Sequence, residues 1–201
     1  MKKLAVAIAL LVSPALWAGT VTLNFDDINT TSTKAIPTSY HTFTFGSNWD
    51  ALNNNYYDFS DSNTVTFPSQ PNVAFNGNGV NSVTLSNATP MQLTSLDAAW
   101  WAIHDVFSSG ISSTSLTVEA FMNNTMVGSK TVNLATNFSL FNLNLPMANS
   151  WDFINSGGAA WWLVDDVTFT SGTSTTPEPA SFGLLGVAGL GLLAIRRKFR
   201  A

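Results

Sequence analysis

The 201-residue sequence contains no cysteine and only two histidines, and its middle section contains almost no basic residues. Without cysteine the fold cannot rely on disulfides, which is compatible with export but does not establish a compartment. Between residues 19 and 176, Lys34 and Lys130 face eleven acidic residues, which gives this section a net charge of about −9, against −4 for the whole chain. Nucleic-acid binding requires clustered Lys and Arg and is therefore disfavoured, whereas calcium, neutral glycans and protein partners remain compatible with this charge.

Recognisable catalytic motifs are also missing. The histidines, His41 and His104, lie outside any His-Glu-x-x-His pattern, and the sequence has no Gly-x-Ser-x-Gly motif and no phosphate-binding glycine loop. His104-Asp105 could form half of an acid–base pair, and the many carboxylates leave a glycan-acting hydrolase as an alternative. We expect a protein that is not an enzyme.

The middle section has the pattern of short β-strands. Apolar and polar residues alternate with a period of two, which is typical of half-buried strands, and Asn- and Gly-rich turns separate these segments. No segment has a helical period. We expect an all-β domain over residues 19–170, folded as an antiparallel, jelly-roll-like β-sandwich, and a Ser/Thr linker at 171–176. The expected strands are Val21–Phe25, Thr42–Phe45, Thr64–Phe67, Val80–Leu85, Met91–Ile103, Leu116–Met122, Met126–Leu134, Phe138–Leu145 and Ala160–Thr170, with a bulge or a change of sheet at Leu140-Phe141.

Two acidic pairs lie in the first and last expected strands. Alternation places Asp27 on the apolar face of the first strand and Asp26 opposite, and it places Asp165 with Leu163, Val167 and Phe169 in the last strand, with Asp166 opposite. An inward carboxylate needs a partner, and with few bases available that partner could be a structural Ca²⁺ held by Asp27 and Asp165, with Asp26 and Asp166 as alternates. Turn capping, backbone hydrogen bonds or exposure to solvent are the alternative explanation.

Tryptophan is abundant in the same section. Adjacent tryptophans in a strand point to opposite faces, so one residue of each neighbouring pair should lie outside the core. An exposed indole can stack on a sugar ring, whereas the alternative role is packing between sheets. The candidates for glycan binding are Trp49, Trp100, Trp101, Trp161 and Trp162.

Both ends of the chain are apolar segments flanked by charge. Residues 1–18 have the lysine start, apolar core and small-residue exit of a signal peptide, with cleavage expected after Ala18 and an uncleaved anchor as the alternative. Ala180 to Ile195 is uncharged and would form a helix of about 24 Å, shorter than the hydrocarbon core of about 30 Å. We expect a marginal transmembrane helix at about 180–197 with its basic end in the cytoplasm; a buried helix closing the domain is the alternative.

The C-terminal section resembles the PEP-CTERM sorting signal of exported bacterial proteins. The resemblance rests on a polar tripeptide, an apolar span and a basic end in that order over residues 177–201: Pro177, Glu178, Pro179, then Arg196, Arg197 and Lys198. It implies recognition and cleavage by an exosortase-type membrane protease. It also implies transient residence in the inner membrane and final delivery to the cell surface or extracellular matrix.

These observations lead to one expected function. We expect an exported, non-catalytic surface or matrix protein, associated with exopolysaccharide or biofilm, that binds glycans through its aromatic residues. A calcium-stabilised structural or adhesive protein without sugar specificity is the alternative. The acidic pairs Asp26-Asp27 and Asp165-Asp166 also resemble, loosely, those of secreted β-sandwich domains whose first and last strands are acidic.

Overall fold

The computed structural model describes residues 19–61, 65–101, 111–158 and 160–172. The signal peptide, most of the linker, the sorting signal with its apolar helix, and the His104-Asp105 pair lie outside the described residues. Residues Ala18–Gly172 form one compact unit. Within the described ranges, no helix has both the length and the apolar character needed to cross a membrane.

The described residues form strands with one helix and one short 3₁₀ turn, Gly77–Gly79. The strands are β1 Thr20–Leu23, β2 Thr33–Ala35, β3 Ser39–Tyr40, β4 Phe43–Phe45, β5 Trp49–Asn53, β6 Asn72–Asn76, β7 Ser82–Trp100, β8 Ile111–Ser112, β9 Ser115–Met122, β10 Thr125–Asn133, β11 Ser139–Asn142, β12 Ala148–Asn155 and β13 Ala160–Ser171; the helix, α1, is Asn54–Asp61.

Strand β7 is 19 residues long and belongs to two layers. Its first half pairs with β12 and β4, and β12 continues to β9 and β10. Its second half pairs with β13 and β11, and β13 continues to β6, β5 and β2, with β1 also beside β13. Every described pairing is antiparallel except the short one between β8 and β13. An all-β antiparallel body is thereby confirmed, while the jelly-roll connectivity stays a prediction.

The main core lies between these two layers and is rich in aromatic rings. Trp49 of β5 meets Phe153 of β12 at 5.1 Å between ring centroids and Trp162 of β13 at 5.4 Å. Phe43 of β4 meets Phe169 of β13 at 4.6 Å. The Trp49–Phe153 and Phe43–Phe169 contacts join the two layers face to face, as in a sandwich, whereas Trp49 and Trp162 are neighbours on the inner face of one layer.

A second apolar cluster covers the opposite face of the β5-β6-β13-β7 layer, which we call the outer face. Strand residues of this cluster pack against Tyr57 of α1 and Phe67 of the segment before β6, whose rings lie 5.8 Å apart. The strand residues are Leu52, Val73, Phe75, Ala99 and Leu163. This layer therefore has apolar side chains on both faces, and the outer one is partly covered by α1.

Helix α1 was not expected, because the sequence predicted no helix in the body. Its first residues are the asparagines that we interpreted as a turn, and one turn residue, Asn53, accepts a hydrogen bond at its Oδ1 from the Asn55 backbone N–H at 3.1 Å. An asparagine side chain that bonds the backbone two residues onward suits a turn as well as a helix start. Local sequence alone therefore does not separate the two structures.

Other strand predictions differ from the structure in their limits. The two expected strands Val80–Leu85 and Met91–Ile103 are one strand, β7, and the expected strand at Thr64–Phe67 is not a strand over its described residues. The bulge expected at Leu140-Phe141 is absent from the regular register of β11. Leu140 faces outward and Phe141 packs on the main core, so the strand has an apolar residue on each face.

Truncating Phe153 tests the packing between the layers. Phe153→Ala removes a fully buried ring that contacts Trp49 and Trp162. We expect the free energy of unfolding to fall by about 3–5 kcal/mol, measured by urea denaturation. Met126→Ala, at a side chain that is 54% exposed, is the control and should change it by less than about 0.5 kcal/mol. Equal losses in the two variants would contradict this packing.

Candidate functional site

The β7–β13 ladder decides the direction of four tryptophans. Trp100 is paired with Trp162, and both side chains belong to the main core side of the layer. At the adjacent position, one residue after Trp100 and one before Trp162, the Trp101 backbone N–H donates to the Trp161 carbonyl at 3.4 Å. Because successive side chains alternate, Trp101 and Trp161 lie on the outer face, where both pack at the edge of the second cluster.

These positions separate the candidate glycan-binding residues. Trp49 and Trp162 are buried in the main core, contrary to the exposed position that glycan binding by these two indoles would need. Trp100 is half-buried against the same core. Trp101 and Trp161 are half-buried on the outer face, so each residue remains partly accessible to solvent. The expectation that one residue of each neighbouring pair lies outside the core agrees with this arrangement.

Neighbouring residues hold both outer indoles in place. The Trp101 ring lies 5.0 Å from that of Phe75 and 5.5 Å from that of Tyr57. The Trp161 indole rests on Gly79, where an added Cβ would lie 2.9 Å from its Cε2 atom. Gly79 also has a φ of +59°, a conformation that side chains other than glycine rarely adopt. Glycine is thus required at position 79 for two reasons: it adopts the positive φ of the turn, and it leaves room for the Trp161 indole.

An acidic side chain, Asp50, lies beside this pair. Asp50 is the cross-strand partner of Phe75 and therefore lies on the outer face. Its Oδ2 occupies the space that a side chain at Gly77 would fill, since an added Cβ there would lie 2.0 Å from that oxygen. Burial raises the pKa of the Asp50 carboxyl, and no described residue donates a hydrogen bond to it. We call Trp101, Trp161, Phe75 and Asp50 the outer-face site.

The acidic residues of the first strand are not arranged as expected. Strand β1 ends at Leu23, and Phe25 has a φ of +61°, so the alternation does not continue to Asp27. The Asp27 side chain is 61% exposed instead of facing the core. It accepts a hydrogen bond from the Tyr40 hydroxyl and lies 3.5 Å from His41 Nε2. Asp26 is half-buried and accepts a hydrogen bond from the Asn72 backbone N–H at 3.1 Å.

In the last strand, Asp165 is fully buried, as its predicted inward position requires. Its face differs from the prediction. Asp165 shares the outer face with Leu163, whereas Val167 and Phe169 belong to the main core. A bulge between Asp165 and Thr168, where Asp166 has a φ of +45°, exchanges the two faces.

Asp165 is held by uncharged donors. Its Oδ2 accepts hydrogen bonds from the Ser69 backbone N–H and hydroxyl, both at 2.9 Å, and its Oδ1 accepts one from the Asp166 backbone N–H, also at 2.9 Å. Burial outweighs these bonds and raises the pKa of Asp165 to about 8. The carboxyl of Asp97, its cross-strand partner, also has a raised pKa, through burial and then through the charge of Asp166.

The positions of these acidic residues differ from those that the calcium hypothesis assumed, but they do not test whether calcium binds. Asp26, not Asp27, interacts electrostatically with Asp166: burial and then the Asp26 charge raise the pKa of Asp166. Within the described ranges, no group of three or more His, Asp or Glu side chains is arranged to hold a metal ion. Because protein donors already bond both oxygens of Asp165, the residues present fit a hydrogen-bonded carboxyl better than an ion ligand. Calcium binding by Asp27 and Asp165 stays a prediction.

The family comparison identifies the C-terminal segment. Residues 175–198 match the PEP-CTERM protein-sorting motif. The chain carries a PEP-CTERM sorting signal. This signal implies export, and processing by exosortase, a membrane protein, on the way to the cell surface. The match covers the sorting segment and leaves the β body undefined.

Comparison with solved structures supports the fold of the body. A DUF4465 family protein from Bacteroides caccae superimposes with a TM-score of 0.51 at 13% identity, covering 77% of this chain and 100% of that one. This likeness extends to the fold alone. Two others have lower TM-scores: the family 29 carbohydrate-binding module CBM29_1 from Piromyces equi, and the K2 adhesin domain of Lys-gingipain. The first has a TM-score of 0.44 at 9% identity, covering 79% of this chain and 94% of that one, and the second 0.46 at 15%, covering 76% and 98%. No curated protein matches the sequence.

Sequence reasoning did not find Asp50. The strand that carries it, β5, was not predicted, since its apolar residues, Trp49, Ala51 and Leu52, do not keep a strict alternation. The Gly77-Asn78-Gly79 segment could have been a signal, because two glycines in one turn mark places where other side chains approach the backbone closely.

The buried Asp165 predicts a dependence of stability on pH. An ordinary aspartate has a pKa of 3.8 and Asp165 has one of about 8 in the folded protein, so between these values the folded protein keeps a proton that the unfolded chain has lost. Stability should therefore fall as the pH rises from about 4 to 8, with a slope of about 1.4 kcal/mol per pH unit for this one proton.

Asp165→Asn should remove that contribution from the slope. The amide oxygen of the variant can still accept from Ser69, but its NH2 group would face the Asp166 backbone N–H, which is also a donor. The free energy of unfolding should therefore fall, and its dependence on pH should become weaker. Urea denaturation at pH 5, 6, 7 and 8 measures the free energy of unfolding. Glu119→Gln, a carboxyl-to-amide change on β9, should leave the slope unaltered. An unchanged slope in Asp165→Asn would show that another group is responsible.

Proposed function

We propose that this protein is an exported surface or extracellular-matrix protein that binds glycans without catalysis through its outer-face site. The observation that carries the proposal is the pairing of Trp101 and Trp161. They are neighbours on adjacent strands, they lie on the same face, and each remains partly accessible, whereas Trp49, Trp151 and Trp162 are buried in the core.

The chemistry of an indole suits a sugar ring. The faces of a pyranose carry C–H groups, which pack on the apolar, electron-rich face of tryptophan and bury a large area at low cost in side-chain entropy. The rings of Tyr57 and Phe75 hold Trp101 in place, and Gly79 seats Trp161, so little ordering is left for ligand binding. A rigid aromatic surface of this kind favours binding because less conformational freedom is lost.

Export gives the site a setting in which polysaccharide is available. The PEP-CTERM motif at residues 175–198 supports passage through the inner membrane and processing by exosortase. We propose that the processed protein stays at the cell surface or in an exopolysaccharide or biofilm matrix. The acidic body, with Lys34 and Lys130 as its only Lys or Arg between residues 19 and 176, is consistent with a partner other than nucleic acid.

The geometry around Asp165 favours binding over hydrolysis. A glycosidase needs two carboxyl groups that both reach the scissile bond. Asp97 and Asp165 are cross-strand partners, yet Asp165 is fully buried and bonded to Ser69, so it cannot touch a polysaccharide. The hydrolase alternative would need a different pair of acids and would release reducing sugar.

Removing one outer indole should weaken glycan binding. Trp161→Ala is expected to lower the affinity for a retained polysaccharide at least about tenfold, which corresponds to about 1.4 kcal/mol, because a central aromatic contact is lost. Affinity gel electrophoresis against neutral, amino-sugar and uronic-acid polysaccharides measures this change. Circular dichroism verifies that the variant is folded.

Met126→Ala, on the exposed part of β10, is the matched control and should bind like the wild type. Failure of the wild type to be retained by any polysaccharide in the panel would refute glycan binding. Self-association or cell attachment in its place would favour the adhesive alternative.

Replacing Pro177, Glu178 and Pro179 together by alanine tests the sorting role. Since these residues form the polar part of the motif, we expect the variant to escape processing and to accumulate in the inner membrane with its C-terminal segment attached. Immunoblotting of membrane and extracellular fractions with a tag placed after residue 201 measures the retained segment. Release of the body at the normal rate would contradict the assignment.

A further inference from the structure

Besides the two indoles, the most informative group of the outer-face site is the carboxyl of Asp50, which has no ion-pair partner among the described residues. The described residues contain one acid–base contact shorter than 4 Å, between His41 and Asp27, and Asp50 takes no part in it. Among the other buried or half-buried acids of this region, Asp26 receives one hydrogen bond from Asn72 and Asp165 receives three. The half-buried carboxyls of Asp97 and Asp166 receive none from the described residues, but only Asp50 lies against the Gly77–Gly79 turn on which Trp161 rests. A carboxylate that is partly removed from water without such donors is unfavourable unless a ligand supplies them.

The backbone around Asp50 is shaped to leave its carboxyl in place. Gly77 has no side chain where Oδ2 lies, and Gly79, two residues further, has none where Trp161 lies. The turn Gly77–Gly79 therefore brings a hydrogen-bond acceptor and an aromatic face to its two ends. Asn78, between the glycines, is exposed and leaves the turn open to solvent on its outer side.

Resting on the proposed glycan binding, we propose that Asp50 is the specificity-determining residue of the outer-face site and selects a sugar without a carboxylate. In this arrangement the ring of a neutral or amino sugar stacks on Trp161 and Trp101, and one of its donor groups, a hydroxyl or an ammonium, bonds to Asp50. A uronic acid would bring a second carboxylate next to an unpaired one, which is repulsive in this partly buried position.

The net negative charge of residues 19–176 also disfavours sugars that carry carboxylates. This net charge of about −9 repels anionic polysaccharides at long range, although at 0.15 M salt this repulsion falls off over about 8 Å. Asp50, in contrast, acts at contact distance, where screening by salt is weak. Discrimination that persists at high salt is therefore the signature of Asp50 and not of the overall charge.

The experiment compares the full-length wild type with Asp50→Asn on three immobilised probes: galactomannan, which is neutral, chitosan, which has amino groups, and polygalacturonate, which has carboxylates. It is done at 0.15 M and 0.5 M NaCl. We expect the wild type to bind galactomannan or chitosan and to bind polygalacturonate at least about tenfold more weakly at both salt concentrations. Asp50→Asn should lose about tenfold in affinity for the preferred probe, since bonds to a charged group are the stronger ones. Galactomannan binding indicates a hydroxyl donor, and binding to chitosan alone indicates an ammonium.

A second variant keeps the charge and moves the carboxyl. In Gly77→Ala the new Cβ would displace Oδ2 of Asp50, the mobile end of a side chain, so we expect the same loss of affinity in a folded protein of unchanged net charge. Glu119→Gln, on β9 in the other layer, removes one negative charge far from the outer face and should bind like the wild type. Circular dichroism and the melting temperature verify that each variant is folded.

The outcomes separate the two proposals. If the wild type binds but Asp50→Asn binds equally well, or if the wild type prefers polygalacturonate, Asp50 does not select the sugar and glycan binding still stands. If Glu119→Gln loses as much affinity as Asp50→Asn, the overall charge decides and the role of Asp50 is refuted. If the wild type binds none of the probes while Trp161→Ala behaves identically, glycan binding fails at this site and the role of Asp50 fails with it.

Discussion

The antiparallel ladder between β7 and β13 is the constraint on which the rest of the fold depends. It assigns each side chain of two long strands to one of two faces, and both faces are apolar. On the inner face, Trp100 and Trp162 face the aromatic core between the layers. On the outer face, the next residues, Trp101 and Trp161, lie together at the edge of a second cluster. If one of the two strands slipped by one residue, its side chains would exchange faces, and Trp101 and Trp161 would no longer lie on the same face.

The same ladder also explains where the acidic residues lie. Asp97 and Asp165 are cross-strand partners, and the full burial of Asp165 is tolerated because Ser69 and the Asp166 backbone N–H donate hydrogen bonds to it. The bulge at Asp166 then turns Val167 and Phe169 back to the main core. The buried carboxyl group thus serves to tie the last strand to the segment before β6, and its raised pKa is the consequence of that burial.

The outer-face site differs from this internal contact because its polar member is unpaired. Asp50 lies beside Phe75 and the Gly77–Gly79 turn, with Trp161 at the other end of the turn. A rigid aromatic pair with one free acceptor is a small version of the general design of ligand sites, in which an apolar surface supplies affinity and a few polar groups supply orientation. The PEP-CTERM segment implies export and delivery toward the cell surface.

The sequence by itself determined the sorting segment, the all-β body, and the outward position of one tryptophan in each neighbouring pair, because composition, order and alternation with a period of two are local properties. Tertiary structure decided the rest. The burial of Trp49, the exposure of Asp27, the strand β5 and the position of Asp50 depend on strand pairing, on one positive φ at Phe25 and on one bulge at Asp166. Such features bring together residues far apart in the chain, and a local pattern has no information about which strands become neighbours.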